Sequence, residues 1–288
     1  MGYLHIENLY KDQRIFLFKR CFALEKIHGT SSHLTWKDGK IIYAAGGENH
    51  GNFIKLFDEE VLTKAFTDLG YPEVTIYGEA YGGKQQGQSW RYGKVLKFCA
   101  FDVEIGESWL NVPNAHQVAQ RFGIEFVHYV EIDATVEQLD FWRDAPSEQA
   151  KRNGVEGDQP REGIVCRPLQ EFRDSAGARI MCKHKRAEER ETKTIRNVDD
   201  PAKLQVLTEA QAIADEWVTP TRLEHVLDKL PGVGMQDIPK IIEAMQEDVF
   251  REGAGEVVDS KEARRAIGTA AVKLFKKKLD DAMRKGQA

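Results

Sequence analysis

Apolar positions along this chain repeat with two different periods, and the change falls about two thirds of the way through. Up to about residue 185 they come in short, β-branched and aromatic runs: "RCFALEKIH" (20–28), "EVTIYGEAY" (73–81), "KFCAFDVEI" (97–105), "EGIVCRP" (162–168) and "ARIMCKHK" (178–185). Such runs read as strands. "SHLTWKDGKIIYAA" (32–45) sets two of them around Asp38-Gly39, a strong hairpin signal. Helical spacing intervenes in "DEEVLTKAFTDLG" (58–70), with Asp58 as N-cap and Gly70 as stop, and in "NAHQVAQRFG" (114–123) and "TVEQLDFWRD" (135–144). The polar, Gly- and Pro-bearing stretch 145–160 reads as a mobile loop.

Beyond about residue 197 every periodic segment is helical: 200–218, 221–232, 236–250 and 259–285. The pattern therefore predicts an α+β protein, with a β-rich domain over 1–197 and a small all-helical domain over 198–288. No internal repeat or low-complexity tract is present.

Composition adds the class of protein. The hydrophobic and charged shares, 41% and 30%, are those of an ordinary soluble globular chain. No apolar run is long enough for a membrane span, and the start "MGYLHIENLY" lacks the apolar core of a signal peptide. The four cysteines (Cys21, Cys99, Cys166, Cys182) show no metal-binding or disulfide spacing and lie in apolar runs, which suits a reducing cytosol. Cytoplasmic residence is the expectation, in the cytosol of a host cell if the source is a phage or virus.

Net charge is −5, which taken alone argues against a nucleic-acid binder. Its distribution alters that. From Lys261 onward nine Lys or Arg face three acids, and "KHKRAEERETKTIR" (183–196) is also rich in cations. Such runs suit either a solvated helix face or an RNA or phosphate footprint.

Lys26 sits beside a buried-looking run, where a bare ammonium is costly. Either its stem snorkels from a sheet edge or it is turned inward for chemistry. Four more segments carry polar groups in or beside predicted strands: "IYGEAYGG", "FCAFDVEI", "EGIVCRP" and "MCKHK". Singly, each has an ordinary reading: a turn, a core phenylalanine, a strand-edge acid, a solvated edge lysine.

Together and in this order they resemble the covalent nucleotidyltransferase superfamily of ATP-dependent polynucleotide ligases and capping enzymes. Its segments run K-x-D/H-G, a strand with G-E, an aromatic-Asp strand, E-G-I/V/Y-V, and a strand ending K-x-K. The histidine of "KIHGT", the segment "FREG" and the basic helix after it most resemble the double-strand-sealing type of phage RNA ligase. The resemblance implies an antiparallel-sheet, ATP-grasp-like nucleotidyltransferase domain with a helical appendage that engages RNA.

It also implies residue roles. Lys26 would be the nucleophile that takes AMP from ATP, and Lys183 and Lys185 would hold the α-phosphate. A lysine attacks only as the neutral amine, so its pKa must fall from about 10.4. Lys183 and Lys185, two apart on a strand, share a face and would repel a protonated Lys26. Glu79 and Glu162 would orient the sugar hydroxyls and hold Mg²⁺ or Mn²⁺. Phe101 would stack on adenine, while Asp102, alternating to the other face, would be structural. His28 would meet the pyrophosphate or fix the turn before Gly29, and Glu25 would border the nucleotide. In the helical part, Arg222 and Asp248 fall near functional positions for RNA. The family's arginine beyond the lysine motif is missing from "YAAGGENHGNF" (43–53), where either Asn49 or His50 substitutes or the contact is lost, and position 31 is Ser where the nearest relatives tend to have Asn.

The function implied is an ATP- and Mg²⁺-dependent RNA ligase joining a 3′-hydroxyl to a 5′-phosphate, on a nicked or bridged duplex, through lysyl–AMP and RNA-adenylate. The rivals are a DNA ligase or capping enzyme, which carry an OB fold after K-x-K, and a non-catalytic RNA-end-binding protein of the same fold.

Overall fold

The computed structural model describes residues 2–189, 191–192, 210–230 and 232–286. The chain divides into two compact units, Met1–Arg186 and Ala187–Ala288. The expected boundary at 197/198 lies outside the described residues, as does the expected helix start near residue 200.

The first unit is built on two antiparallel sheets. One is ordered β7-β1-β8-β9, from β1 (Arg20–Lys26), β7 (Tyr129–Asp133), β8 (Gly163–Pro168) and β9 (Cys182–Lys185). The other is ordered β3-β2-β4-β5-β6, from β2 (Thr30–Lys37), β3 (Lys40–Ala44), β4 (Glu73–Gly82), β5 (Leu96–Ile105) and β6 (Ser108–Trp109). Every expected strand forms. β6 and β7 are additions: the first is only two residues long, and the second follows the apolar run "FVHYVEI". β2 and β3 pair from Lys37 and Lys40, with Asp38 and Gly39 both at positive φ, as the hairpin signal requires.

Six helices accompany the sheets: α1 (His50–Ile54), α2 (Glu59–Leu69), α3 (Ser89–Tyr92), α4 (Val112–Arg121), α5 (Val136–Asp144) and α6 (Glu148–Arg152). Asp58 caps α2 by accepting from the Glu60 and Val61 amides, and Gly70 ends it. α6 corrects the expectation of a loop over 145–160. Ser147 caps it by accepting from the Ala150 amide. Buried Glu25 then accepts from Ser147 Oγ (2.5 Å) and from the amides of Glu148 (2.9 Å) and Gln149 (3.3 Å). A tertiary carboxylate at the helix N-terminus thus orders five residues whose own sequence is too short and polar to do so. One core joins the sheets and these helices, with Phe22 and Leu24 of β1 packed with Leu34, Ile76, Phe98, Phe66 and Val118.

The second unit contains α7 (Ala210–Trp217), α8 (Pro220–Asp228), α9 (Ile238–Glu252) and α10 (Lys261–Gly286). Their apolar stripes meet in a core of Ile213, Trp217, Leu223, Met245, Val249, Ile267 and Phe275. Among the described residues no helix is long and apolar enough to cross a membrane. All four cysteines are buried and free.

Candidate active site

Lys26 is the last residue of β1, and strand register decides what it faces. β1 pairs with β8 so that Lys26 stands opposite Gly163, and β8 pairs with β9 so that Gly163 stands opposite Lys185. A lysine, a glycine and a lysine therefore form one row across three strands. One pleat along, the parallel row is Leu24, Val165 and Lys183, on the same face. The glycine is a packing requirement. A Cβ at Gly163 would come within 2.2 Å of the His184 carbonyl oxygen and 2.8 Å of Lys185 Cα.

Glu162, just before that glycine, is buried between the two lysines. Its Oε2 accepts from Lys26 Nζ at 2.9 Å, and its Oε1 lies 3.1 Å from Lys185 Nζ. A buried carboxylate is stable as the anion only when paired; here the amines of two lysines meet one carboxylate. The Lys26 side chain remains 24% exposed, so its amine lies at the rim rather than sealed inside. Lys26 is thus turned onto a carboxylate, with an open side.

Lys183 is buried at 9% exposure. Its backbone bonds to the N-terminal segment, donating to Glu7 O and accepting from Leu9 N, both at 2.8 Å. Glu7 lies close enough for Lys183 to help hold its carboxyl below the ordinary range, after the larger effect of His5, which outweighs burial. Glu79 reaches the same end of the unit from the other sheet. The turn after Lys26 packs on β4 so closely that a Cβ at Gly29 would fall 3.0 Å from Glu79 Cγ and 2.3 Å from Ala80 O.

The structure parts three residues from the roles the resemblance implied. Glu25 alternates to the face opposite Lys26, where it opposes Ile164 and caps α6. Its carboxyl pKa is raised by burial, against the pull of Arg161 and the hydrogen bonds it accepts. It anchors the strand end and does not reach the face that carries Lys26. Arg222 and Asp248 are likewise interior. Arg222 is 1% and Asp248 4% exposed; they pair at 2.5 Å, and Arg222 also donates to Trp217 O at 3.0 Å. Both are spent on joining α8 to α9, so they offer RNA no exposed polar group.

His28 lies past the end of β1, so strand alternation does not extend to it. It is buried, and its amide donates to Tyr92 OH at 3.2 Å. Phe101 sits where β4 and β5 slip register between Tyr77 and Gly78, opposite Asp102 and Ala100. The bulge overturns the alternation expected for its neighbour, because Tyr3 touches both: its ring meets Phe101 edge-on at 4.8 Å and its hydroxyl donates to Asp102 at 2.7 Å. Asp102 is fully buried, paired with Arg167 (2.9 Å) and Arg179 (2.6 Å), as a structural residue should be. In the arginine-free stretch, Asn49 caps α1 by accepting from Asn52 N, and His50 Nε2 lies 3.2 Å from Tyr43 O.

Sequence reasoning missed Tyr3, Tyr92 and the arginines Arg167 and Arg179. Their only signal was their presence in or beside apolar runs, since their partners are distant in sequence.

Among the described residues no cluster of three or more His, Cys, Asp or Glu forms a protein cage for a metal. One or two carboxylates with phosphate and water ligands is the arrangement magnesium ordinarily takes. Glu79 and Glu162 are carboxylates of that kind, and each Glu162 oxygen also meets a lysine.

The profile of the family described as RNA ligase matches residues 19–185, from the start of β1 to the end of β9. The chain belongs to the RNA ligase family. Among solved structures, the Naegleria gruberi RNA ligase with PPi is similar at 17% identity and a TM-score of 0.50, over 64% of this chain and 56% of that one. A glutamate-to-alanine mutant of that ligase with ATP and Mn is similar at 16% identity and a TM-score of 0.51, over 65% and 57%. At such identity the likeness is one of fold. The chain spans little more than half the length of these neighbours. No curated protein sequence matches it. The family match covers all five motif segments, and it lies within the first unit.

Proposed function

We propose that the chain is an ATP-dependent RNA ligase of the covalent nucleotidyltransferase type, which seals a 3′-hydroxyl to a 5′-phosphate. One observation carries the reading: Lys26 and Lys185 meet on the two oxygens of buried Glu162, across a glycine that no other residue could replace without moving β9. A surface lysine would need no such setting.

In the first step the amine of Lys26, neutral once it has given a proton to solvent, forms a nitrogen–phosphorus bond to the α-phosphorus of ATP and releases a further proton to solvent. The bond to the bridging oxygen breaks, and pyrophosphate leaves with the electron pair. In-line transfer of this kind relies on positioning and charge neutralisation more than on covalent chemistry by the protein. Glu162 aims the Lys26 amine through the hydrogen bond it accepts from Nζ. Lys183 and Lys185, on the same face, neutralise charge developing on the phosphate oxygens. Phe101 stacks on the adenine, and His28 borders the leaving pyrophosphate. A divalent cation, Mg²⁺ or Mn²⁺, bound by Glu162 or Glu79 together with phosphate oxygens would supply further charge neutralisation.

In the second step an oxygen of the RNA 5′-phosphate attacks the lysine-bound phosphorus; the nitrogen–phosphorus bond breaks, and Lys26 takes up a proton from solvent and departs as the amine. In the third the 3′-hydroxyl attacks the activated 5′-phosphate, its proton passes to solvent, and AMP leaves. The basic run "KLFKKKLDDAMRK" (273–285) suits contact with RNA phosphates, which position a duplex without reading its sequence. Sealing of a nick or bridged break in RNA repair is the task these parts suit.

The test is incubation with ATP, magnesium and a 5′-phosphorylated nicked RNA duplex. The sealed strand and a transient adenylated 5′-end should both accumulate. Sealing of nicked DNA at the same rate, or no product from any RNA substrate, would contradict the proposal.

A further inference from the structure

The segment joining β4 to β5, "YGGKQQGQSWRYGKV" (81–95), carries three cations and no acid in a chain whose net charge is −5. At its centre Trp90 stands 54% exposed, while Trp36 and Trp217 are buried and Trp109 and Trp142 are partly buried. A tryptophan left so open in water forgoes a large apolar burial, and α3 (Ser89–Tyr92) places it there deliberately enough to ask why.

The segment is firmly held. Tyr92 is buried with its ring edge-on to Tyr81 at 5.3 Å, and its carbonyl accepts from Asn153 Nδ2 at 2.9 Å. The Gly83 amide donates to Gly93 O at 3.0 Å, closing the base of the segment, and Gln85 donates to Glu48. Buried Arg91 lays its guanidinium 4.8 Å from the Trp90 ring centroid, so one cation is stacked on the indole. Lys84 and Lys94 are exposed to either side in sequence. Through Tyr92 the same segment is tied to the amide of His28, two residues from Lys26. One exposed tryptophan on a firmly held segment, flanked in sequence by exposed lysines and tied to the turn after Lys26, has the make-up of a platform for an unpaired or terminal nucleobase.

We infer that Trp90 stacks on the terminal base of the RNA strand being joined, with Lys84 and Lys94 contacting the adjoining phosphates. The inference rests on the reading of the chain as an RNA-joining enzyme. It adds an RNA-positioning residue outside the five motif segments.

The experiment uses the full chain without ATP and a nicked RNA duplex bearing a 5′-phosphate, and reads binding by anisotropy and intrinsic tryptophan fluorescence. Wild type should bind with quenching of an exposed tryptophan. Trp90→Ala should lose roughly tenfold in RNA affinity, the scale of one lost base–aromatic stack, with an unchanged melting temperature. Trp90→Phe should retain most of the affinity yet lose the quench. In a separate assay with ATP alone, Trp90→Ala should form lysyl–AMP within about twofold of wild type, because that step involves no RNA. Wild-type affinity in Trp90→Ala, a quench that persists in Trp90→Phe, or no quench in wild type would overturn the inference. Failure of the functional reading would show differently, as absence of lysyl–AMP in wild type.

Discussion

A single buried carboxylate, Glu162, joins Lys26 of β1 to Lys185 of β9. From sequence, Lys183 and Lys185 were expected to repel Lys26; in the fold Glu162 lies between Lys26 and Lys185 and pairs with both. The lysines were legible because their spacing on a strand fixes a shared face. The bridging role of Glu162 was not, because it depends on the register of β8 between β1 and β9. Glu25 failed for the complementary reason: next to Lys26 in sequence, it must point the other way in an extended strand. Two outcomes follow at this scale. Lys183→Ala and Lys185→Ala should each slow lysyl–AMP formation by about a hundredfold, the size of effect seen for one lost charge-stabilising donor, with unaltered circular dichroism. Near-normal adduct formation in both, and in the double variant, would make them solvated edge lysines. Glu25→Ala should instead act on stability, by about 2 kcal/mol, since it strips the cap from α6 and leaves buried donors unmatched. Chemical denaturation reads this directly, and an unchanged midpoint would contradict the anchoring role.

The helices repeat the lesson at the scale of elements. α2 and α4 were readable from apolar spacing and their ends, because those signals are local. α6 was not, since the group that orders it arrives from residue 25. In the second unit the periods of α8 and α9 are plain in the sequence, but nothing there separates Arg222 and Asp248, which pair between those helices, from surface positions near RNA. Breaking one partner of such a buried pair costs about 3–5 kcal/mol. Arg222→Ala and Asp248→Ala should therefore each lower the stability of the full chain by about that much, and the double variant should lose less than the sum. The pair also predicts a pH dependence. Burial alone would raise the Asp248 carboxyl, but Arg222 and Arg251 outweigh it and hold the folded pKa below the ordinary 3.8. The unfolded chain then binds the extra proton, so this contribution is complete above about 3.8 and is lost as pH falls through the lowered folded value. Thermal melts below pH 4 should show wild type approaching Asp248→Asn; a constant gap between the two would contradict the linkage.

For the whole molecule, the shift from strand-like to helical periods predicts a break near residue 197, and the chain divides into two compact units at Arg186/Ala187. The shift did not fix the boundary to the residue, because helix and strand ends are set by capping and packing more than by period. If the helical unit engages RNA, affinity for a nicked duplex should fall steeply as salt rises, in proportion to the phosphates contacted. A truncation to residues 1–197 that remains folded should form lysyl–AMP but seal nicks poorly. Sealing as fast as the full chain would remove the second unit from the reaction. Both outcomes presuppose the covalent step, and the measurement closest to it is incubation with ATP labelled at the α-phosphate, followed by a denaturing gel and peptide mapping. The account predicts a label that survives denaturation, maps to Lys26 and disappears in Lys26→Ala, while that variant still seals some chemically pre-adenylated RNA. A label on any other residue, or none on the wild-type chain, would contradict it.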